Sequence, residues 1–318
     1  MRGIKLVTVG SAGKSAGCSP TGIVGRCLVR ELVESGERVR VVAEADQLGD
    51  WPAAVEVVEG SIARCEGISG AFDGVDGIFL AGAQAATAGR VLEAARGAGV
   101  ERIVLLSSHG AEHEAAYPPE TWFWLAIERA VESAGMAWTH IRPSAVMGAV
   151  LEGTYPATGS DWAESIAAEN TVREAFLEMG HYPFIHERDL AAVAATALCR
   201  DGYEGMLLEA VGFPLSTRSR LRDIADVLGR DITAVELTPA ESRAAWRARG
   251  WPEDGIDVTL FALEEYGVHF DELTRWTAGQ RPTVPDLIGR PMHTYRDWVA
   301  EHAALFGSVP DRARHHRA

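Results

Sequence analysis

Short apolar runs alternate along the first half of the chain with stretches whose apolar residues recur at helical spacing. LVTV (6–9), RVRVVA (38–43), VEVV (55–58), GIFLAG (77–82), RIVLLSS (102–108) and WTHIRP (138–143) predict strands. Between them the 3.6-residue period predicts helices near 22–35, 84–98 and 119–134, with a weaker one near 62–71. GIFLAG and RIVLLSS are apolar nearly throughout, as strands buried on both faces must be. Strand–helix alternation of this kind requires right-handed crossovers and a parallel sheet covered on both sides. The predicted fold class is therefore α/β, with a doubly wound parallel sheet. Gly36, Gly74 and Gly99 fall where helices or turns must end.

The pattern changes after Pro143. Helices are predicted near 160–179, 189–200, 216–228, 239–249 and 254–266, around two short strands near 206–211 and 232–236. Asp189, at the head of DLAAVAATAL, is expected to cap its helix. The division this predicts is a sheet domain over 1–150 and a smaller α+β substrate lobe over 151–318, some of whose elements complete the sheet. Ligands of open α/β sheets bind beyond the carboxyl ends of the strands. That rule gathers residues 10–25, 81–84, 107–122 and 143–150 around one crevice.

Composition narrows the classes of function. The chain has 318 residues, 47% of them apolar, enough for one large α/β unit with an attached lobe. Its net charge of −15 argues against nucleic acid and anionic membrane surfaces, both of which call for a basic face. Cysteines 18, 27, 65 and 199 show no CxxC spacing, which predicts reduced thiols. The first residues lack the pattern of a secretory signal, and no apolar run reaches the roughly 18 residues of a membrane span. A cytoplasmic protein, monomeric or homodimeric, is the expectation. The C-terminal DRARHHRA is polar and expected to fray.

The first strand leads into GSAGKSAGCSPTGIVG, residues 10–25. GKS within a glycine-rich loop suggests a triphosphate-binding loop, but that pattern needs a glycine at position 8, which is Thr8. The better reading is a split G-x-x-G-x-x-G formed by Gly10, Gly22 and Gly25, with about nine residues, Gly13 to Thr21, inserted. Thr21, Gly22 and Ile23 then open a helix whose N–H groups face a pyrophosphate, Gly25 lets the helix pack on the sheet, and Lys14 is an incidental loop cation.

With TGIVGRCLVRELVESGERVRVV, RIVLLSSHGA, IERAVESAGMAWTHIRPSAVM, YPFIHERDLAAVAATAL and LIGRPMHTYRDWVAEHAALF, nearly the whole chain resembles the NmrA-like branch of the atypical short-chain dehydrogenase/reductases. The resemblance implies a Rossmann domain, a crevice shared with a C-terminal lobe, and a bound nicotinamide dinucleotide, with Ala81, Ser107 and Pro143 at strand ends around it. The chain departs from the family in three places: the inserted loop, Glu44 where an Arg often holds the NADP 2′-phosphate, and Ser61 where an Asp often stands near the adenine. A carboxylate at 44 repels a phosphate and accepts hydrogen bonds from a free ribose, so NAD is expected over NADP.

Ordinary short-chain dehydrogenases use a Tyr-x-x-x-Lys pair. This chain has only two lysines, Lys5 and Lys14, and neither follows a tyrosine by four residues, so that pair is impossible here. Ser108, His109, Tyr117 and Glu120 are the candidate substitutes. Trp122, Trp124 and Met147 are candidate substrate contacts, suiting a flat apolar or aromatic ligand. His186 is expected as a structural hydrogen-bonder, and no spacing suggests a metal site. Three functions compete: a nicotinamide-dependent tailoring oxidoreductase acting on a small natural-product-like molecule, a cofactor-free isomerase, dehydratase or cyclase on the same scaffold, and a non-catalytic NAD(P) sensor.

Overall fold

A computed structural model of the chain describes residues 3–10, 20–152, 162–212 and 214–307. Lys14, Cys18, nearly all of the inserted loop and the C-terminal DRARHHRA lie outside the described residues. The first half runs β1 (Ile4–Val9), α1 (Thr21–Glu34), β2 (Arg38–Ala43), β3 (Glu56–Glu59), β4 (Val75–Leu80), α2 (Ala85–Gly97), β5 (Arg102–Leu106), α3 (Trp124–Ser133) and β6 (Ala137–Pro143). It continues through β7 (Ala145–Val146), α4 (Ala149–Glu152), α5 (Trp162–Glu169), β8 (Thr171–Ala175), β9 (His181–Ile185), α6 (Glu187–Cys199) and β10 (Met206–Ala210). The remainder is β11 (Pro214–Ser216), α7 (Thr217–Leu228), β12 (Thr233–Leu237), α8 (Pro239–Ala248), α9 (Glu253–Val268), α10 (Phe270–Gly279), α11 (Val284–Ile288) and α12 (Tyr295–Glu301).

Seven parallel strands form the central sheet in the order β10-β6-β5-β4-β1-β2-β3. The chain reverses its direction of winding between β4 and β1, which is where such sheets open a ligand crevice. Val7, Val9, Phe79, Val104 and Ile141 face α1 and α6 in one core, while Leu6, Ile78, Leu80, Ile103 and Leu105 face α2 and α3 in another. Burial on both faces explains why these strands read as unbroken apolar runs. Gly25 is fixed by the same packing, since a Cβ there would lie 2.7 Å from Val9 Cγ2. α6 and β10 come from the second half of the chain yet cover and extend this sheet.

The segment near 62–71 forms turns instead of a helix. Cys65, Gly67 and Gly70 adopt positive φ, and Ser61 bridges Glu66. The helix expected over 160–179 ends at Glu169; Asn170 turns the chain at φ +50°, and TVREA becomes β8, paired with β12. The helix expected from residue 119 starts at Trp124, because Pro118 and Pro119 hold the preceding stretch in a tight turn. At α6 the cap is His186, whose Nδ1 accepts the Arg188 N–H at 3.1 Å. Asp189 lies one turn further on and instead anchors the C-terminal segment, accepting from Arg290 at 2.6 Å and from the His293 backbone at 2.7 Å. The lobe is assembled from β7, β9 and β11, the β8–β12 pair, and helices α5, α7–α10 and α12.

Candidate functional site

A cleft of about 410 Å³ opens at the carboxyl ends of β5 and β6. Its floor is Ser107, Ser108, His109, Pro143 and Ser144, and Pro20 at the mouth of α1 forms one end. The lobe supplies the opposite wall through Tyr182 on β9 and Val258, Phe261, Ala262 and Tyr266 on α9. Val258 and Phe261 are 50% and 66% exposed, so this wall presents apolar surface to the cleft.

Under the floor runs a buried charge network. Ser107 Oγ donates to Glu128 Oε1 at 2.6 Å. Arg142 grips the same carboxylate through Nε at 2.9 Å and Nη2 at 2.8 Å, the paired geometry in which a guanidinium binds most strongly. Arg142 Nη1 donates to Glu112 and lies 3.7 Å from Glu209 Oε1. Burial alone would raise the pKa of Glu128, but the hydrogen bonds from Arg142 and Ser107 and the Arg142 charge hold it below the usual carboxylate range. The network surfaces at His109, whose Nδ1 lies 3.2 Å from Glu209 Oε2, both side chains being nearly buried. The imidazole also packs on lobe aromatics, with its centroid 4.9 Å from Trp276 and 6.4 Å from Tyr266. Burial, with Glu209 and Glu112 adding to it, pushes Tyr266 up to about 12, so that phenol stays protonated.

The four candidate acids and bases separate. Ser108 and His109 line the cleft. Tyr117 does not: it is 66% exposed, and its carbonyl accepts the Trp122 indole N–H at 2.9 Å. Glu120 lies exposed in the Pro119–Thr121 turn, also away from the cleft. Of the candidate substrate contacts, Trp124 lines the cleft and Trp122 does not. Met147 is buried in the lobe core with Trp162 and Ile166, and its N–H is bonded to Ile185 O at 2.9 Å, so it belongs to packing instead.

Sequence reasoning missed Glu114, Glu209 and Arg64. Glu114 lines the cleft and caps α3, accepting the N–H groups of Phe123, Trp124 and Leu125 at 2.9, 3.1 and 2.8 Å. That charge at a helix start fixes where Trp124 sits. Glu209 is a lone acid in MLLEA, the edge strand β10 of the sheet.

The mouth of α1 fits a dinucleotide. Thr21 Oγ1 accepts the Gly10 N–H at 3.0 Å and donates to Gly10 O at 3.3 Å, tying the end of β1 to the helix start across the insertion. Gly82 approaches Gly10 so closely that a Cβ on Gly82 would sit 3.2 Å from the Gly10 N. Thr8 Oγ1 bonds both the N–H and the carbonyl of Ala81, each at 2.8 Å, fixing the end of β4. Gly22 is buried in the first turn, and Ile23 reaches Gly148, where a Cβ would lie 2.7 Å from Ile23 Cδ1. On the far side, beyond β2 and β3, a second cavity of about 330 Å³ is lined by Glu44, Ser61 and Arg64. The Glu44 carboxylate is paired, with Arg64 Nη2 2.7 Å from its Oε2.

Over 293 residues the chain is 33% identical to (4-alkanoyl-5-oxo-2,5-dihydrofuran-3-yl)methyl phosphate reductase of Streptomyces griseus, covering 90% of this chain and 96% of that protein. The chain belongs to the NmrA-like atypical short-chain dehydrogenase/reductases. A model of an NAD(P)H-binding family matches residues 20–173 of this NmrA-like chain. The NAD(P)H azoreductase of Xenophilus azovorans is 28% identical over 303 residues, 91% of this chain and 98% of that one. The triphenylmethane reductase of Citrobacter sp., solved with NADP(H), shares the fold at a TM-score of 0.64 and 19% identity, covering 94% and 99% of the two chains. Among the described residues of this NmrA-like protein no group of His, Cys, Asp and Glu is placed to hold a metal, and no helix is long and apolar enough to cross a membrane.

Proposed function

We propose that the protein is an NADH-preferring reductase that delivers hydride to a small, neutral, conjugated acceptor held in the cleft. The observation that carries this reading is the run of one cleft from Pro20, at the mouth of α1, to His109 and the apolar wall of α9. Reduced nicotinamide supplies the hydride when bound. The chain's own residues do the rest. Val258, Phe261, Tyr182 and Trp124 bury the flat faces of the acceptor and exclude water. Ser108 offers a hydroxyl to the polarised oxygen or nitrogen of the acceptor. Glu209 fixes the His109 ring through Nδ1, which leaves Nε2 to hold the proton that neutralises the reduced acceptor. A conjugated acceptor spreads the negative charge that hydride transfer creates, so the reaction does not need the absent Tyr–Lys pair.

The charge of the cleft also favours a neutral molecule. Its described lining contains Glu114 and His109 but no Lys or Arg. The named substrate of the Streptomyces relative carries a phosphate; a phosphate here would meet Glu114 with no cation opposite among the described lining residues. Azo and quinone compounds are better-matched probes. The test is oxidation of NADH by the purified protein in the presence of a small quinone or azo dye, alongside nicotinamide fluorescence on binding. Acceptor-dependent oxidation is expected. Failure of both dinucleotides to bind would overturn the reading in favour of cofactor-free chemistry.

A further inference from the structure

The cavity beyond β2 and β3 places one guanidinium among three carboxylates, Glu44, Glu59 and Glu66. Arg64 donates from Nη2 to Glu44 Oε2 at 2.7 Å and from Nε to Glu66 Oε2 at 3.1 Å. The Glu44 side chain is only 8% exposed, whereas Arg64 and Glu66 are 58% and 68% exposed. The turn carrying Arg64 is firmly built. Ser61 and Glu66 exchange backbone hydrogen bonds of 2.7 and 3.0 Å, and Ser61 Oγ accepts the Arg64 N–H at 3.1 Å. Gly67, at φ +68°, crosses so near Glu59 that a Cβ would lie 2.9 Å from its carbonyl oxygen. The backbone thus delivers Arg64 to the cavity, and only the partners of its side chain are free to change.

On this fold the adenosine ribose of a dinucleotide lies off the end of the second strand, where Glu44 stands. We propose that Arg64 is the cofactor-selectivity residue and that Glu44 and Glu66 mask it, which makes the site select NADH. The inference rests on the dinucleotide-binding reading given above. A guanidinium matches a carboxylate or a phosphate equally well, so the 2′-phosphate of NADPH competes with Glu44 and Glu66 for the same donors. Winning that competition would strand the nearly buried carboxylate of Glu44 and bring a fourth anion in among three carboxylates. A free ribose avoids both costs. Its hydroxyls donate to Glu44 Oε1 while Oε2 stays with Arg64.

The experiment compares Kd for NADH and NADPH, by nicotinamide fluorescence, in wild type, E66Q, the E44Q/E66Q double variant and the same double variant with R64A added. Wild type should prefer NADH by at least about tenfold. Unmasking in E44Q/E66Q should tighten NADPH by about tenfold, and adding R64A should abolish that gain. E66Q alone alters an exposed residue and should give a smaller gain in the same direction, which covers the case in which the Glu44 change disturbs folding. A gain that survives R64A would mean simple relief of repulsion and overturns the proposal. So does wild-type preference for NADPH, or no gain where NADH still binds. If no variant and no wild type binds either dinucleotide, the nucleotide-binding reading falls as well.

Discussion

The two ends of the crevice handle charge in opposite ways. At the acceptor end, Glu128, Arg142 and Glu209 are nearly out of solvent, and each is held by partners on other elements of the sheet domain. At the adenosine end, Arg64 and Glu66 lie mostly in water, and only Glu44 is sequestered. Buried networks fix geometry, because any broken link leaves a charge uncompensated. Exposed pairs hold little energy and exchange partners easily. On the proposed function, rigidity falls at the end where the acceptor would react and adaptability at the end where the cofactor would be recognised.

The largest expected effect comes from breaking the rigid end. Arg142→Ala strands Glu128 and leaves Glu112 and Glu209 without their shared cation. We expect a loss of about 3–5 kcal/mol in urea denaturation at neutral pH. The pH dependence sharpens the attribution. Glu128 is held below its ordinary value by Arg142 and Ser107 against the effect of burial, so its stabilisation is present above the unfolded carboxylate value, about 4.3, and is lost as pH falls through the lower folded value. Without Arg142 burial dominates, and the protonated form is the one the fold tolerates. The stability gap between wild type and variant should narrow as pH falls below about 4. A gap that is constant with pH would mean that packing, not charge, is what the variant loses.

His109 tests the chemistry of the same end. His109→Gln keeps a polar side chain between Glu209 and Trp276 while removing the transferable proton. Turnover with a quinone or azo acceptor should fall by about 10²-fold or more, with NADH binding unchanged. Glu209→Gln should keep part of the activity, since Glu209 reaches the acceptor through the His109 ring. Equal turnover in wild type and His109→Gln would leave solvent as the proton source.

Gly25→Ala probes the seam on which both ends depend. The new methyl would sit 2.7 Å from Val9 Cγ2, so α1 must lift from β1. A loss of about 1–3 kcal/mol and weaker binding of both dinucleotides are expected together.

How much of this the sequence discloses depends on what fixes each element. Strands β1, β4 and β5 are mostly apolar because both faces are covered, and their limits follow closely from the pattern, whereas the edge strand β3 is largely exposed. The stretch 62–71 has helical spacing but is shaped by positive φ at Cys65, Gly67 and Gly70, which periodicity does not register. In 160–179 a single helical pattern hides the turn at Asn170 and the start of β8. In the candidate site, Ser108 and His109 reach the cleft because they follow a strand end directly. Tyr117 and Glu120 lie outside it because the Pro118–Pro119 turn carries them out to solvent. Arg64, Glu114 and Glu209 reach their partners from 20, 9 and 100 residues away, distances that only the folded topology brings together. What marks Glu209 in the sequence is a charge within the otherwise apolar strand MLLEA, because such a charge is sequestered only when paired.

The smallest expected effect separates binding from stability on the lobe side. The Phe261 ring is 66% exposed, so Phe261→Ala removes little that is buried in the free protein, and its unfolding free energy should stay within about 0.5 kcal/mol of wild type. If that ring forms the apolar wall against which an acceptor packs, its loss appears only when acceptor is present. KM should then rise about five- to tenfold, with kcat nearly unchanged, since the ring holds ground state and transition state alike. The Kd for NADH should not move, because Phe261 faces the acceptor end of the cleft. A fall in kcat at constant KM would give α9 a part in the reaction itself, and an unchanged KM would put the acceptor elsewhere in the crevice, against Trp124 instead of α9.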